Sequence, residues 1–133
     1  MRILIDTNII VSAAIFPHGR ISALMKEIIR EHEIYICAFS LEELAYLVNA
    51  KFRKYKNDVD TFLNELAYVF VRSPFVLRES EVPVIRDPDD YPILLSAIDA
   101  DVDVLLSGDK DFYGVDCERP EILSPSAFRE KYL

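Results

Sequence analysis

The residues of this chain best suited to chemistry are carboxylates that fall where predicted strands end or predicted helices begin: Asp6, Glu42, Glu43, Asp87, Asp89, Asp90, Asp109 and Asp111. Asp6 closes the apolar run Arg2-Ile3-Leu4-Ile5. Asp109 follows a second such run, Asp103-Val104-Leu105-Leu106, by way of Ser107-Gly108. Two acids at one rim of a sheet repel each other unless positive charge lies between them. Carboxylates without partner histidines or thiolates suit a hard divalent ion, Mg2+ or Mn2+. One or two such ions would promote phosphodiester hydrolysis by holding the attacking water and the leaving oxygen in line.

Each acid also has an ordinary role open to it. Asp6 can be a turn residue, and Glu43 can close a capping box with Ser40 three residues before it. Asp90 can be an acid favoured by a helix dipole, and Asp109 can cap the turn that follows it. Glu42 competes with Glu43 for the rim position and Asp87 with Asp90, while Asp111 is either a further ligand or a supporting group. The argument rests on the main four, Asp6, Glu43, Asp90 and Asp109, arriving together.

The elements that must position these acids alternate between strand and helix. The run 2–5 is short, apolar and β-branched, as a central parallel strand buried on both faces should be. Ile9 to Phe16 opens a helix or a loop leading into one, and Pro17-His18-Gly19 breaks it. Ile21, Leu24, Met25, Ile28 and Ile29 then form a helical stripe. Residues 34–38 read as a strand. Ser40 is predicted to cap a helix carrying Leu41, Leu44, Ala45 and Val48 on its apolar face.

A further helix starts at Asn57 or Asp58, with Val59, Phe62, Leu63, Leu66, Ala67 and Phe70 facing inward. Phe75-Val76-Leu77 reads as a short strand, and Arg78 to Asp89, interrupted by Pro83 and Pro88, as a surface loop. A helix begins near Asp90 and Pro92 and leads into strand 103–106. A last strand, Glu121-Ile122-Leu123, precedes a helix from about Pro125. This alternation predicts an α/β fold with a parallel sheet. In such sheets ligands sit beyond the carboxyl ends of the strands, and right-handed crossovers bring Glu42 and Glu43 to the same rim as Asp6.

The 133 residues, about half of them apolar, predict a single domain spanning 1–133. No apolar run approaches the ~20 residues needed to span a membrane, and no signal-peptide pattern opens the chain, so a cytoplasmic location is expected. Cys37 and Cys117 lack the spacing of a metal or redox motif, and Cys37 reads as a buried, reduced thiol. His18 and His32 are isolated in the sequence and do not suggest a zinc site.

The net charge of −8 excludes a protein that grips nucleic acid by bulk electrostatics, but not a metal-loaded enzyme that acts on it. The single dense basic segment, Lys51-Phe52-Arg53-Lys54-Tyr55-Lys56, supplies Lys51, Arg53, Lys54 and Lys56 as candidate substrate contacts. It is either a guide for a single strand by charge and stacking or a solvated helix end. An aspartyl-phosphate phosphatase is disfavoured because Asn8 stands where its second acid belongs. With only three glycines and none after the first strand, a dinucleotide-binding fold is disfavoured too.

Ile3-Leu4-Ile5-Asp6-Thr7-Asn8, Ser40-Leu41-Glu42-Glu43-Leu44, Asp87-Pro88-Asp89-Asp90 and Ser107-Gly108-Asp109-Lys110-Asp111 together resemble the PIN domain, in particular the VapC-like toxins of toxin–antitoxin pairs. The likeness runs over essentially the whole chain in order and spacing. It implies a three-layer α/β/α fold and a Mg2+- or Mn2+-dependent ribonuclease acting on single-stranded or looped RNA. By this resemblance Asp6, Glu43, Asp90 and Asp109 are the metal-binding acids. Ser107 is the small hydroxyl beside the fourth acid, and Asn8 the polar residue after the first. Relatives often carry asparagine after the third acid, where this chain has Tyr91. The resemblance further implies a small antitoxin that blocks the rim, and homodimers are common among relatives. Helices 21–29 and 59–70 offer either such an interface or core. The rival expectation is a catalytically silent scaffold that binds RNA or protein.

Overall fold

The computed structural model describes residues 1–73 and 91–133. The expected strand 75–77, the loop 78–89 and the acids Asp87, Asp89 and Asp90 lie outside the described residues. Strands β1 (Arg2–Ile5), β2 (Glu33–Cys37), β3 (Tyr68–Val71), β4 (Val104–Leu106) and β5 (Glu121–Leu123) form one sheet in the order β3-β2-β1-β4-β5. Every pairing is parallel: Ile3 lies opposite Ile34 on one side of β1 and opposite Val104 on the other. β1 is therefore central.

Alternation along β1 divides the core between two faces. Ile3 and Ile5 join a cluster with residues of α1 (Thr7–Ile15), α2 (Arg20–Glu31), α3 (Ala38–Lys51), α4 (Lys56–Glu65) and α6 (Pro125–Tyr132). Leu4 joins a second cluster with Cys37, Leu105, Phe112 and the α5 (Tyr91–Asp99) residues Ile93, Leu94 and Ala97. Helices thus cover both sides of the sheet, giving the three-layer α/β/α arrangement.

α1 is a full helix, starting immediately after Asp6 and buried on most sides, because it packs against α2, α3 and α4. Leu24, Met25 and Ile28 of α2 and Val59 of α4 are buried, so most of the apolar residues that might have formed a dimer face belong to the core. Cys37 is buried and Cys117 partly so, both as free thiols.

Two expectations are corrected. Ser40 does not cap α3: that helix follows β2 without a loop, Cys37 stands before its first residue, and no side chain bonds there in the manner of a cap. The buried Ser40 hydroxyl instead lies 3.4 Å from the Cys37 thiol. The early start is supported from a distance, since the N–H of Phe39 donates to Ser73 Oγ at 3.0 Å, which satisfies a donor that a helix start leaves open. The second correction concerns α4, which ends at Glu65 instead of continuing to Phe70. Tyr68-Val69-Phe70-Val71 is rich in β-formers and pairs with Ile34–Cys37 as β3.

Phe70 is consequently 54% exposed, and Phe70→Thr should change stability by no more than about 0.5 kcal/mol. Ile36, fully buried in β2, should cost about 2–5 kcal/mol when replaced by alanine. Urea unfolding of the two variants checks both values, and a large loss at Phe70 would contradict its place in β3.

Candidate active site

Strand order 3-2-1-4-5 reverses direction between β1 and β4. Beyond the carboxyl ends of two such strands lies the crevice in which open α/β sheets bind ligands. Asp6 leaves β1 at this point and Ser107 leaves β4, one step past the register pair Ile5 and Leu106. The ladder holds both backbones: Asp6 N–H donates to Leu106 O at 3.0 Å, and Ser107 N–H to Leu123 O at 3.0 Å.

The Asp6 carboxylate is deeply buried, with the residue only 3% exposed. Oδ1 accepts the Thr7 N–H at 2.7 Å and Oδ2 accepts the Ser107 hydroxyl at 2.7 Å. Burial nevertheless holds the proton affinity of Asp6 above its ordinary value. The two hydrogen bonds oppose that rise, while the charges of Glu43 and Asp109 add to it. The Asp6 carboxylate, just past β1, is therefore close enough to Glu43 of α3 and to Asp109 after β4 to feel the charge of each.

Ser107 is fully buried and bridges two of them, donating to Asp6 and accepting the Asp109 N–H at 3.0 Å. Asp109 in turn accepts the Asp111 N–H at 2.9 Å and so caps the short 3-10 turn Lys110–Phe112. Phe112 anchors that turn in the second core cluster. The expectation of a capping role for Asp109 is met, and the cap places its carboxylate beside the crevice.

Glu43 and Glu42 diverge. Ser40, Leu44 and Val48 form the buried stripe of α3, and Glu43, partly buried at its margin, lies within reach of Asp6's charge. Glu42 is exposed, as is Asn8 in the first turn of α1, and Asp111 is partly buried. Lys51, Arg53, Lys54 and Lys56 are all exposed, at the other end of α3 and the start of α4.

Sequence reasoning overlooked Thr7. Its residue is fully buried, and its Oγ1 finds no hydrogen-bond partner among the described residues. Such a group normally costs about 1–3 kcal/mol, and the signal available in the sequence was only its place beside Asp6. Among the described residues, no three Asp, Glu, His or Cys side chains stand close enough to enclose an ion. The donors present are all oxygen, and an unsatisfied hydroxyl adjoins a buried, charge-crowded carboxylate. That chemistry fits a hard cation.

A profile of the PIN domain matches residues 2–111. The uncharacterized protein MJ1680 of Methanocaldococcus jannaschii is 29% identical over 114 residues, covering 84% of this chain and 72% of its own length. The crystal structure of VapBC2 from Rickettsia felis, bound to a DNA fragment from their promoter, contains a chain of similar fold. The match has a TM-score of 0.69 at 19% identity and covers 93% of this chain and 98% of that one.

Two measurements test the geometry. Ser107→Ala removes a hydrogen bond to a buried carboxylate and should lower stability by about 1.5–3 kcal/mol at neutral pH. Between 3.8 and the raised folded value of Asp6, the native chain holds a proton that the unfolded chain releases. Stability contributed by this group therefore falls as pH rises through that window and stays lower above it. Asp6→Asn should be more stable than the natural chain at pH 7 in the presence of a chelator. A lower melting temperature for that variant would contradict the assignment.

Proposed function

The chain belongs to the PIN domain family, and from that premise we propose that it is a divalent-metal-dependent ribonuclease that cleaves RNA chains internally. PIN domain proteins are typically nucleases. The observation that carries the reading is the convergence of Asp6, Glu43 and Asp109 at the switch between β1 and β4. Asp90, immediately before α5, is the fourth acid of the proposal.

These four residues would hold the ions, with Asp111 as a further or supporting oxygen donor. One or two Mg2+ or Mn2+ ions bound there would neutralise charge on the phosphodiester and ease loss of a proton from the attacking water. Ser107 fixes the Asp6 carboxylate in orientation through its hydroxyl and fixes Asp109 through the backbone. Burial of Asp6 removes competing solvent from one side of the group, so a bound cation meets a carboxylate already deprived of most of its hydration. Between the two adjacent glutamates the reading selects Glu43.

The likeness in fold to a VapBC2 chain supports a toxin role with a small antitoxin as partner. A basic side chain of that partner inserted among the acids would block the rim. A short open reading frame beside the gene would support this. The setting proposed is the cytoplasm, and among the described residues no helix is long and apolar enough to cross a membrane. For a homodimer, α2 and α4 leave free the groove of about 570 Å3 that they line with α1. The second reading is a PIN scaffold that binds RNA or protein without hydrolysis, and it draws on the net charge of −8 and the modest basic surface.

Purified protein incubated with Mn2+ and a mixed RNA pool should generate internal cleavage products, and a chelator should stop them. Asp6→Asn and Asp109→Asn should each slow cleavage by about a hundredfold or more. Cleavage at the natural rate by either variant would falsify the assignment. Absence of both cleavage and Mn2+ binding at millimolar concentration would favour the scaffold reading instead.

A further inference from the structure

We propose that Ser73 is a positioning residue: its hydroxyl joins the start of α3 to α5 and thereby holds Glu43 within reach of Asp6. This role rests on the ribonuclease reading for what Glu43 does at the crevice, and on separate hydrogen bonds for how it is held there. Ser73 lies two residues past the end of β3. Because every strand pairing is parallel, that end faces the same rim as Asp6 and Ser107.

A helix leaves its first N–H groups without partners inside the helix. No side chain caps α3 from its own start, where Cys37 stands. Ser73 Oγ accepts the Phe39 N–H at 3.0 Å instead. The same oxygen lies 3.0 Å from Ser96 Oγ of α5. Ser96 is fully buried, and its hydroxyl donates to Pro92 O at 2.6 Å. A hydroxyl carries one hydrogen, and a carbonyl oxygen can only accept. The hydrogen between the two serines is therefore that of Ser73. A chain of bonds then runs in one direction, from the Phe39 N–H through both hydroxyls to Pro92 O, and each link polarises the next.

The Phe39 side chain also packs on the second core cluster, which contains Ile93, Leu94 and Ala97 of α5. Apolar contact has no preferred direction, whereas hydrogen bonds are restricted in length and angle. The serine link is what fixes the rotation of the first turn of α3 against α5. Glu43 follows Phe39 by four residues, so it lies on the same side of the helix, about 6 Å along the axis. A first turn released by Ser73 would fray or rotate, and Glu43 would move with it. A misplacement of about 1 Å in a reacting group can cost about a hundredfold in rate. Asp90, the fourth acid of the proposed function, immediately precedes α5 in the sequence, so the same link relates the helices that follow or carry two of the acids.

The test compares Ser73→Ala with Ser73→Thr, which keeps a hydroxyl, and with Ser124→Ala. Ser124 Oγ accepts the Ala127 N–H at 3.1 Å, so its loss removes a bond of the same kind from α6, which carries none of the proposed acids. Thermal melts set a temperature at which all three variants are folded. Mn2+ binding is followed by electron paramagnetic resonance, and amide exchange by NMR in a chelator. Ser73→Ala should weaken Mn2+ binding about tenfold. It should also speed exchange of the Phe39 amide and of amides in α5 together, by about tenfold. Ser73→Thr should restore most of both, and Ser124→Ala should leave both as in the natural chain.

Natural Mn2+ affinity in Ser73→Ala overturns the positioning role and leaves the ribonuclease reading standing. An equal loss of affinity in Ser124→Ala overturns it too, since the effect would then be a general loosening of the fold. Faster exchange at Phe39 with no change in α5 overturns the link between the helices. A natural chain that neither binds Mn2+ nor cleaves RNA removes the ribonuclease reading and the positioning role with it.

Discussion

A carboxylate held almost out of water beside other carboxylates is the constraint on which the candidate site depends. Asp6 has two hydrogen bonds, from Thr7 N–H and the Ser107 hydroxyl, and still its proton affinity is raised. Desolvation is the largest influence, and together with the charges of Glu43 and Asp109 it outweighs the two bonds. Such an arrangement weakens the fold at neutral pH. Strongly perturbed carboxylates of this kind cluster at functional sites in proteins generally.

The contrast with the opposite end of the same strands is instructive. Asp103 enters β4 near Arg2, accepts the Arg2 N–H at 2.7 Å and pairs with Arg119 at 2.9 Å. Those contacts hold its carboxyl below the ordinary range. Two aspartates on the paired strands β1 and β4 are thus driven in opposite directions by their surroundings. At the amino ends, arginines neutralise the acid. At the carboxyl ends the charge at Asp6 is left for something else to balance.

The buried stripe Ser40, Leu44 and Val48 sets the rotation of α3 and leaves Glu43 partly buried at its margin, within reach of the Asp6 charge. The end of the helix delivers the cations of the turn to solvent.

The parallel sheet, the alternation of layers and the place of Asp6 at the end of β1 were legible in the residues, because a short β-branched run closed by an acid reports both a buried strand and its rim. The last strand, Glu121–Leu123, and the helix from Pro125 fall where their patterns place them. Local pattern failed wherever the deciding partner lay far along the chain. Ser40 has the spacing of a cap, yet α3 begins earlier, where Ser73 meets the Phe39 N–H. Phe70 continues a helical stripe, yet the open edge of β2 takes it into a strand. Glu42 and Glu43 are equivalent in sequence, and only the rotation of α3 against the core separates them. Thr7 carried no signal beyond its place beside Asp6, since burial without a partner among the described residues is a property of the folded surroundings. Periodicity and residue type are read along the chain, whereas hydrogen-bond partners, desolvation and the mutual repulsion of charges exist only once distant segments meet.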